Sequence, residues 1–334
     1  RLRRTQPAMT SETAIGDAAA TEPVRCPVCG DTSRYDFSGR DLMFDRHQRF
    51  DYQRCDDCGT VFQHPMPDMA TIATFYPTSY RVYDEQARTG RTGVLRRAIL
   101  RRTRGYRHLP VSWPAGLLAA GVAPFRPSNT PEFVPGGRLL DVGCGNGRYL
   151  STMRSLGWQV QGVELSDEGV RVCRLADLPV HHGDLASASF PDAAFDLVTV
   201  RHVIEHIPTP HAFMQELARV LKPGGLLVVE TPNVEALGRD WFGANWYAND
   251  VPRHLILFSP RSLMLLAGRY GLTTAQVEME TSQKIVLNSI DYAVGNHGRP
   301  SRKIAWRRLL ARLYVKAARR RGSGDILRIS MRKA

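Results

Sequence analysis

Residues 139–147 constrain the fold of this 334-residue chain more than any other part of the sequence. An apolar run typical of a buried strand leads into Gly143, Gly145 and Gly147, and an amphipathic helical period follows. Glycine adopts positive φ angles and lets a ligand approach the backbone closely, while the amides at a helix N-terminus attract anionic groups. The segment therefore predicts a tight strand-to-helix turn that binds a cofactor at the end of a parallel strand.

The sequence after residue 136 alternates short apolar runs with amphipathic periods, as in a parallel sheet covered by helices. Strands are predicted over residues 138–142, 159–164, 195–200 and 225–231, with closing strands over 272–281 and 325–332. Helices are predicted over residues 147–156, 167–177, 211–221 and 260–270. This alternation predicts the α/β class.

Glu164 ends the second predicted strand, 23 residues after Asp141. A carboxylate at this position can accept hydrogen bonds from two ribose hydroxyls. A dinucleotide-binding turn has a glycine where this sequence has Arg148. The spacing of the glycines therefore favours S-adenosylmethionine over NAD.

The motifs LLDVGCGNG, VELS, Gly183-Asp184, FDLVTVRHVIEH and LKPGGLLVVETPN resemble, in this order, those of class I S-adenosylmethionine-dependent methyltransferases over roughly residues 136–282. The resemblance implies a Rossmann-like, doubly wound sheet of seven strands with the last strand antiparallel. It also implies cofactor contacts, which are Asp141, Gly143, Gly145 and Gly147 around the methionine part, Glu164 at the ribose, Asp184 and Leu185 at the adenine, Arg201 lining the pocket, and Leu165 as a further contact.

Histidines are the natural general bases for an oxygen acceptor, because the hydroxyl must lose its proton during methyl transfer. His202 and His206 follow the predicted third strand of the series above, and His254 lies in an insertion before Ser259. The segment around His254 resembles the lid of ubiquinone-type O-methyltransferases. We expect His254, and after it His206, to act as the base, and His202 to form a pocket wall. Residues 241–249 are rich in aromatic side chains, which either line the acceptor site or pack the insertion against the sheet.

Two CxxC pairs, Cys26/Cys29 and Cys55/Cys58, can deliver four thiolates to one tetrahedral Zn²⁺. A four-cysteine site has no open position for water, so a structural zinc ribbon is predicted. Such a ribbon resembles that of bacterial sugar C-methyltransferases and of a family of ribosomal RNA guanine methyltransferases. ETPN stands at residues 230–233, where many base-amino methyltransferases have an Asn/Asp-Pro-Pro-aromatic motif, which disfavours nucleic acid. Cys144 and Cys173 are expected to be small buried side chains.

The formal net charge of +13 is concentrated in two segments. Residues 88–107 hold eight arginines, residues 299–321 hold ten lysines or arginines, and neither segment contains an acid. Both mix these charges with apolar residues at helical spacing, as at Trp306, Leu309 and Leu313. Such helices pack on a core, lie on an anionic membrane or bind RNA phosphates. Packing is the first expectation, membrane contact the second and nucleic acid the third.

The predicted organisation has four parts: a disordered tail over residues 1–22, a zinc ribbon over 23–66, a helical connector with an arginine-rich segment over 67–134, and a methyltransferase domain over 135–334 with a basic helical insertion at about 296–322. No signal-peptide pattern and no run of about 18 apolar residues is present. We therefore expect a cytoplasmic protein that touches the inner membrane face at most peripherally.

These features predict S-adenosylmethionine-dependent methyl transfer to an oxygen or carbon of a small-molecule, sugar or lipid-linked acceptor. Zn²⁺ is expected to be structural. Two alternatives stay open. One is a ribosomal RNA methyltransferase, and the other is a catalytically silent scaffold that binds the cofactor and recruits a partner through its ribbon.

Overall fold

The computed structural model describes residues 23–77, 93–125, 129–296 and 305–334. The predicted disordered tail lies outside these ranges, as do residues 88–92 and 299–304 of the two basic segments. Within the described residues, every helix is too short or too polar to cross a lipid bilayer.

The N-terminal part is a small antiparallel sheet that carries the clustered cysteines. It consists of β1 (Ser33–Arg40), β2 (Arg49–Cys55) and β3 (Val61–Gln63), and helix α1 (Met69–Thr74) follows. Gly30 and Gly59, which follow the two CxxC pairs, have φ angles of +85° and +73°. Glycine is the residue that adopts this conformation without strain, so each pair lies in a tight knuckle.

Two helices connect the ribbon to the large sheet. They are α2 (Val94–Thr103) and α3 (Trp113–Val122), and a short 3-10 turn over Ala123–Phe125 follows. Helix α2 buries Ala98, Ile99 and Leu100 while its arginines stay at the surface. Helix α2 therefore packs its apolar stripe on the core, as the first expectation for the basic segments stated.

The C-terminal part contains the remaining elements. Its helices are α4 (Arg148–Ser155), α5 (Asp167–Leu175), α6 (Pro210–Val220), α7 (Leu237–Phe242), α8 (Pro260–Gly268), α9 (Gln283–Ala293) and α10 (Ala305–Arg321). Its strands are β4 (Arg138–Val142), β5 (Gln159–Glu164), β6 (Val180–His182), β7 (Phe195–Arg201), β8 (Leu221–Pro232), β9 (Ile256–Leu257), β10 (Leu272–Glu280) and β11 (Ile326–Lys333).

Seven strands form one sheet in the order β10-β11-β8-β7-β4-β5-β6. Strand β11 is antiparallel to β8 and β10, and the other neighbours are parallel. Successive residues of β4 and β7 point to opposite faces of the sheet. Leu139 and Leu197 therefore belong to one apolar cluster, and Leu140 and Val198 belong to another. The predicted Rossmann-like, doubly wound sheet with an antiparallel last strand is confirmed.

Strand β9 does not join this sheet. It pairs with β3 of the ribbon, with Val61 opposite Leu257 and Phe62 opposite Ile256, and completes a four-stranded sheet in the order β1-β2-β3-β9. The sequence did not predict this pairing, because neither short strand shows a period. The ribbon and the methyltransferase domain thus share a sheet.

The bounds of β4 and β5 agree with the prediction residue for residue, whereas β8 begins at Leu221, four residues before the predicted start. The helix before it ends at Val220, and Leu221 already pairs with Phe195 of β7. The three-residue strand β6 was not predicted. Its Val180 pairs with Gly162 of β5 and extends the sheet edge.

Candidate active site

The turn after β4 needs glycine at two positions for reasons visible in the structure. Gly143, Gly145 and Gly147 have φ angles of +70°, +57° and +72°. A Cβ on Gly143 would lie 2.3 Å from Val203 Cγ2, and one on Gly147 would lie 2.4 Å from Leu178 Cδ1. Any other residue would be strained and crowded here.

Asp141 is buried at the end of β4 and is paired with Arg201 at the end of β7. Its Oδ1 accepts a hydrogen bond of 2.6 Å from the Thr199 hydroxyl, and its Oδ2 lies 3.1 Å from Arg201 Nη2. Burial raises the pKa of Asp141, although Arg201 and Thr199 oppose that shift. The Arg201 guanidinium also stacks 3.8 Å from the centroid of the Tyr149 ring. Arg201 therefore lies at the end of β7, next to the glycine turn and paired with Asp141.

Glu164 lies at the end of β5, directly against the glycine turn. Its Oε2 accepts a hydrogen bond of 2.7 Å from the Gly145 amide, and its Oε1 accepts one of 2.8 Å from the Ser166 amide. The next residue, Leu165, is 68% exposed and offers an apolar surface beside the carboxylate. A buried acceptor and an exposed apolar side chain at one strand end suit a nucleoside.

Asp184 and Leu185 follow β6, next to this strand end. The Gly183 amide donates to the Glu164 carbonyl oxygen at 3.0 Å, which joins the two segments. Asp184 is exposed, and the Ser187 amide donates to its Oδ1 at 2.7 Å, which lowers the pKa of Asp184. Leu185 is 3% exposed. The structure thus brings all the predicted cofactor residues to the carboxyl ends of β4, β5, β6 and β7.

A second cluster is centred on Glu205, which is fully buried in a 3-10 turn after β7. Its Oε2 accepts a hydrogen bond of 2.9 Å from the Thr231 hydroxyl, and its Oε1 lies 3.3 Å from His202 Nδ1. Burial alone would raise the pKa of Glu205, but His202 and the neighbouring histidines lower it to about 2. Glu205 is therefore an ionised carboxylate surrounded by imidazoles.

His254 is buried beside Glu205, with 8% of the residue exposed. Its Nδ1 lies 2.8 Å from the Ala248 carbonyl oxygen, which can only accept, so Nδ1 carries the proton. Its Nε2 lies 3.9 Å from Glu205 Oε1 and 3.8 Å from Asp250 Oδ2. Burial and the nearby His206 lower the pKa of His254 to about 4, so the imidazole is neutral at pH 7.

His206 is half-buried, and its ring centroid lies 4.8 Å from that of His254. Its Nδ1 is 2.9 Å from the Arg253 carbonyl oxygen and 3.0 Å from the Tyr76 hydroxyl. The carbonyl oxygen again requires a proton on Nδ1, which leaves Nε2 as an acceptor.

His202 was expected to be a pocket wall, and in the structure it is paired with the buried Glu205. Its side chain is 50% exposed, and its Nδ1 faces the buried Glu205. Burial lowers the pKa of His202, but the carboxylate outweighs this effect and the pKa is raised. Sequence analysis could have found this pair from the spacing, since Glu205 follows His202 by three residues at the end of a strand.

The two clusters adjoin each other through Val203. This residue contacts the glycine turn at Gly143 and lies between His202 and the buried Glu205 turn. The glycine turn and the turn that carries Glu205 are therefore adjacent in the structure.

Two groups of side chains in the described residues have ligand atoms within 4.8 Å of one another, as a metal site requires. Glu205, His206 and His254 form one, and their oxygen and nitrogen ligands are of the kind that divalent cations accept. The four ribbon cysteines form the other.

The ribbon cysteines have the geometry of a zinc site. All four are reduced, and the Sγ atoms are 3.7 Å apart for Cys26 and Cys58 and 3.3 Å apart for Cys29 and Cys55. Four thiolates around one Zn²⁺ lie about 3.8 Å apart. The Val28 and Cys58 amides donate to Cys26 and Cys55 sulfurs at 3.4 Å. These donors would stabilise thiolate charge, so the set fits a closed structural site.

Comparison with known proteins agrees with the fold. A family model described as a methyltransferase domain matches residues 115–277. The ubiquinone biosynthesis O-methyltransferase of Xanthomonas campestris pv. campestris (strain B100) is 37% identical over 130 residues, covering 36% of this chain and 54% of that protein. The protein of the same name from Paraburkholderia phymatum is 31% identical over 156 residues, covering 43% of this chain and 67% of that protein.

A crystal structure of a SAM-dependent methyltransferase from Archaeoglobus fulgidus is 20% identical, has a TM-score of 0.44, and covers 65% of this chain and 94% of that one. The chain spans about half the length of the Xanthomonas relatives, at 53–54%.

The strand order and the glycine turn define the class I methyltransferase fold, and the P. phymatum relative extends the likeness over two thirds of its length. The chain belongs to the class I S-adenosylmethionine-dependent methyltransferases.

Proposed function

We propose that this chain transfers the methyl group of S-adenosylmethionine to a hydroxyl oxygen of a small-molecule acceptor. The observation that carries the proposal is the histidine cluster around Glu205, which adjoins the glycine turn through Val203. The relatives are named ubiquinone biosynthesis O-methyltransferases, and this name supports an oxygen acceptor.

The donor fits the crevice at the ends of β4, β5 and β6. Asp141 and the three glycines would hold its methionine part, Glu164 would accept hydrogen bonds from the ribose, and Leu165, Asp184 and Leu185 would contact the adenine. When bound, this cofactor supplies a methyl carbon activated by a sulfonium. The crowded, positive-φ glycines and the buried Glu164 carboxylate are the features of this chain that support the fit.

The chain's contribution to the reaction is orientation and proton removal. The acceptor oxygen forms its bond to the methyl carbon as the carbon–sulfur bond breaks, and its proton passes to a histidine nitrogen. His254 and His206, each protonated at Nδ1, would take this proton at Nε2. His202 is the third candidate, because Glu205 orients it as the carboxylate of a catalytic triad orients its histidine.

Radiolabelled S-adenosylmethionine and a panel of catechols test the proposal directly. We expect alkali-stable label on the ring oxygen, with turnover lost by at least about 100-fold when the base is replaced. His202→Gln, His206→Gln and His254→Gln, assayed in parallel, identify that base, and exposed His47→Gln is the matched control. Label on carbon would contradict an oxygen acceptor. Label in added RNA would favour the RNA methyltransferase, and bound donor without any turnover would favour the silent scaffold.

A peripheral membrane contact is supported by α10. Ala311, Tyr314 and Ala318 of this helix are buried against the protein, so the predicted apolar stripe is not the packed one. That stripe faces outward, with exposed fractions from 47% to 57% at Trp306, Leu309, Leu310 and Leu313. Arg308, Arg312 and Lys316 lie along one side of the exposed stripe.

An exposed apolar stripe bordered by cations fits the surface of an anionic bilayer, where each basic residue contributes about 1 kcal/mol. Co-sedimentation with vesicles of phosphatidylglycerol and phosphatidylcholine tests this contact. We expect binding to fall in Leu309→Gln/Leu313→Gln and to vanish with phosphatidylcholine alone. Equal binding by the variant, or preferential binding of RNA, would contradict the membrane contact.

A further inference from the structure

Among the described residues, the buried side chains of the zinc ribbon belong to apolar clusters that it shares with the methyltransferase domain. Cys26, Val28, Cys55, Cys58 and Phe62 belong to the same buried cluster as the residues on one face of the large sheet. The pairing of β3 with β9 and a hydrogen bond of 2.7 Å from the Ser259 hydroxyl to the Cys58 carbonyl oxygen join the two parts further. The ribbon is therefore packed directly on the segment that carries His254.

Asp41 of the ribbon is the residue that enters this segment. It follows β1, is 1% exposed, and accepts hydrogen bonds of 3.1 Å from the Met43 and Phe44 amides. Arg253, also 1% exposed, donates to both of its oxygens, with Nη1 2.9 Å from Oδ2 and Nη2 3.2 Å from Oδ1. A bidentate pair fixes the guanidinium plane as well as its position.

Arg253 connects Asp41 to the surroundings of His254 and His206. Its Nε lies 3.2 and 3.1 Å from the two oxygens of Asp250, and its Nη2 lies 2.6 Å from Asp250 Oδ1. Asp250 Oδ2 is in turn 3.8 Å from His254 Nε2. The Arg253 carbonyl oxygen accepts the Nδ1 proton of His206.

A second ribbon residue holds the backbone at the same place. Tyr52 of β2 is fully buried, and its hydroxyl donates to the His254 carbonyl oxygen at 3.0 Å. The Gln63 amide donates to the Leu255 carbonyl oxygen at 2.8 Å. Contacts from the ribbon thus fix both the main chain and the side-chain surroundings of His254.

We propose that Asp41 is a positioning residue of the acceptor site, and that the ribbon forms part of this site through the chain Asp41–Arg253–Asp250–His254. This inference rests on the proposed function only for its effect on turnover. The ribbon is then a fixed wall of the methyltransferase, in contrast to a module that recruits a partner.

The physical reason is charge balance in a buried network. Arg253 lies between two carboxylates, and the loss of Asp41 would remove one of them. We expect Asp250 then to turn towards Arg253 and away from His254, because removing one partner of a buried guanidinium is costly. His254 and His206 would both lose their fixed neighbours, while the donor crevice around Asp141 shares none of these contacts.

Asp41→Asn in the full chain tests the inference, with Asp51→Asn as the matched control. Asp51 lies in the same ribbon but is exposed, and its described side-chain contact is with Ser38. The first measurement is the imidazole spectrum of the ¹⁵N-histidine-labelled protein. We expect the signals of His254 and His206 to shift or broaden in Asp41→Asn and to stay unchanged in Asp51→Asn.

The second measurement separates positioning from folding. We expect kcat with a catechol to fall by about 10–100-fold in Asp41→Asn, since small misplacements have effects of this size, while the Kd for S-adenosylmethionine and the zinc content stay within about twofold. Unchanged histidine signals would overturn the inference. Equal losses of kcat and donor affinity would also overturn it, because they would indicate a general structural role.

Two outcomes are kept distinct by this design. If no catechol is methylated by the parent chain, the proposed function fails, and the histidine spectrum still decides the inference. If Asp41→Asn does not fold, Asp41→Glu retains the charge and tests the geometry. We expect Asp41→Glu to fold and to shift the His254 signal. An unshifted His254 signal together with parental kcat in Asp41→Glu would count against a positional requirement.

Discussion

Replacing Gly143 by alanine tests whether the glycine turn is as crowded as the structure indicates. The added Cβ would lie 2.3 Å from Val203 Cγ2, at a residue whose φ is +70°. An L-residue in the left-handed region costs about 1–2 kcal/mol, and overlap with a packed side chain costs about 1–3 kcal/mol more. We therefore expect Gly143→Ala to lower the free energy of unfolding by about 2–5 kcal/mol and to weaken donor binding.

Gly136→Ala is the matched control. Gly136 has a φ of +66°, and among the described residues no atom lies within 4 Å of its added Cβ, so only the strain of about 1–2 kcal/mol remains. Urea unfolding of Gly143→Ala, Val203→Ala and the double variant isolates the overlap, which the double variant should relieve. Equal losses at Gly143 and Gly136, or strict additivity in the double variant, would refute the reasoning.

Three further predictions concern the cofactor, the pH response and the metal. Glu164→Ala should weaken S-adenosylmethionine binding about 10–100-fold in calorimetry, through loss of a charged acceptor, whereas exposed Glu168→Ala should not. Burial and the nearby His206 lower the pKa of His254 from 6.5 to about 4. Between these two pH values the unfolded chain is protonated at His254 and the folded chain is not, so the free energy of unfolding should fall as the pH is lowered from 6.5 towards 4. His254→Gln should flatten that part of a urea–pH profile, and a parallel profile would contradict the assignment. Elemental analysis should find about one zinc per chain, lost in Cys29→Ser, and a metal-free parent chain would contradict the ribbon.

Local signals explain which parts of the fold could be predicted. Strands β4 and β5 were bounded correctly because a short apolar run followed by glycines, or by an acid and a helix cap, is recognisable within a few residues. The candidate cofactor residues at the ends of β4, β5 and β7 follow the same logic, whereas Asp184 and Leu185 follow β6, a strand of three residues that no pattern located.

Pairings between distant residues explain the rest. Asp41 and Arg253 are 212 positions apart, and in the sequence each resembles an ordinary charged loop residue. Strand β9 has two residues, and its partner β3 has three, so neither shows a period. On α10 the sequence contains two apolar stripes. Burial of Tyr314, whose hydroxyl donates to Asp325 at 2.8 Å, decides which of them packs.

Arg201 and His202 are neighbours in the chain but belong to different networks. Arg201 bonds to Asp141 beside the glycine turn, and His202 faces Glu205 in the histidine cluster. The backbone changes direction at His202, whose φ is +54° and whose amide donates to the Glu230 carbonyl oxygen at 2.8 Å. A histidine in this conformation costs about 1–2 kcal/mol, and such strain is retained mainly where function requires it. His202 lies between the donor crevice and the histidine cluster. Its strained conformation therefore supports a site in which the methyl donor lies on one side of the end of β7 and the proton-accepting histidine lies on the other.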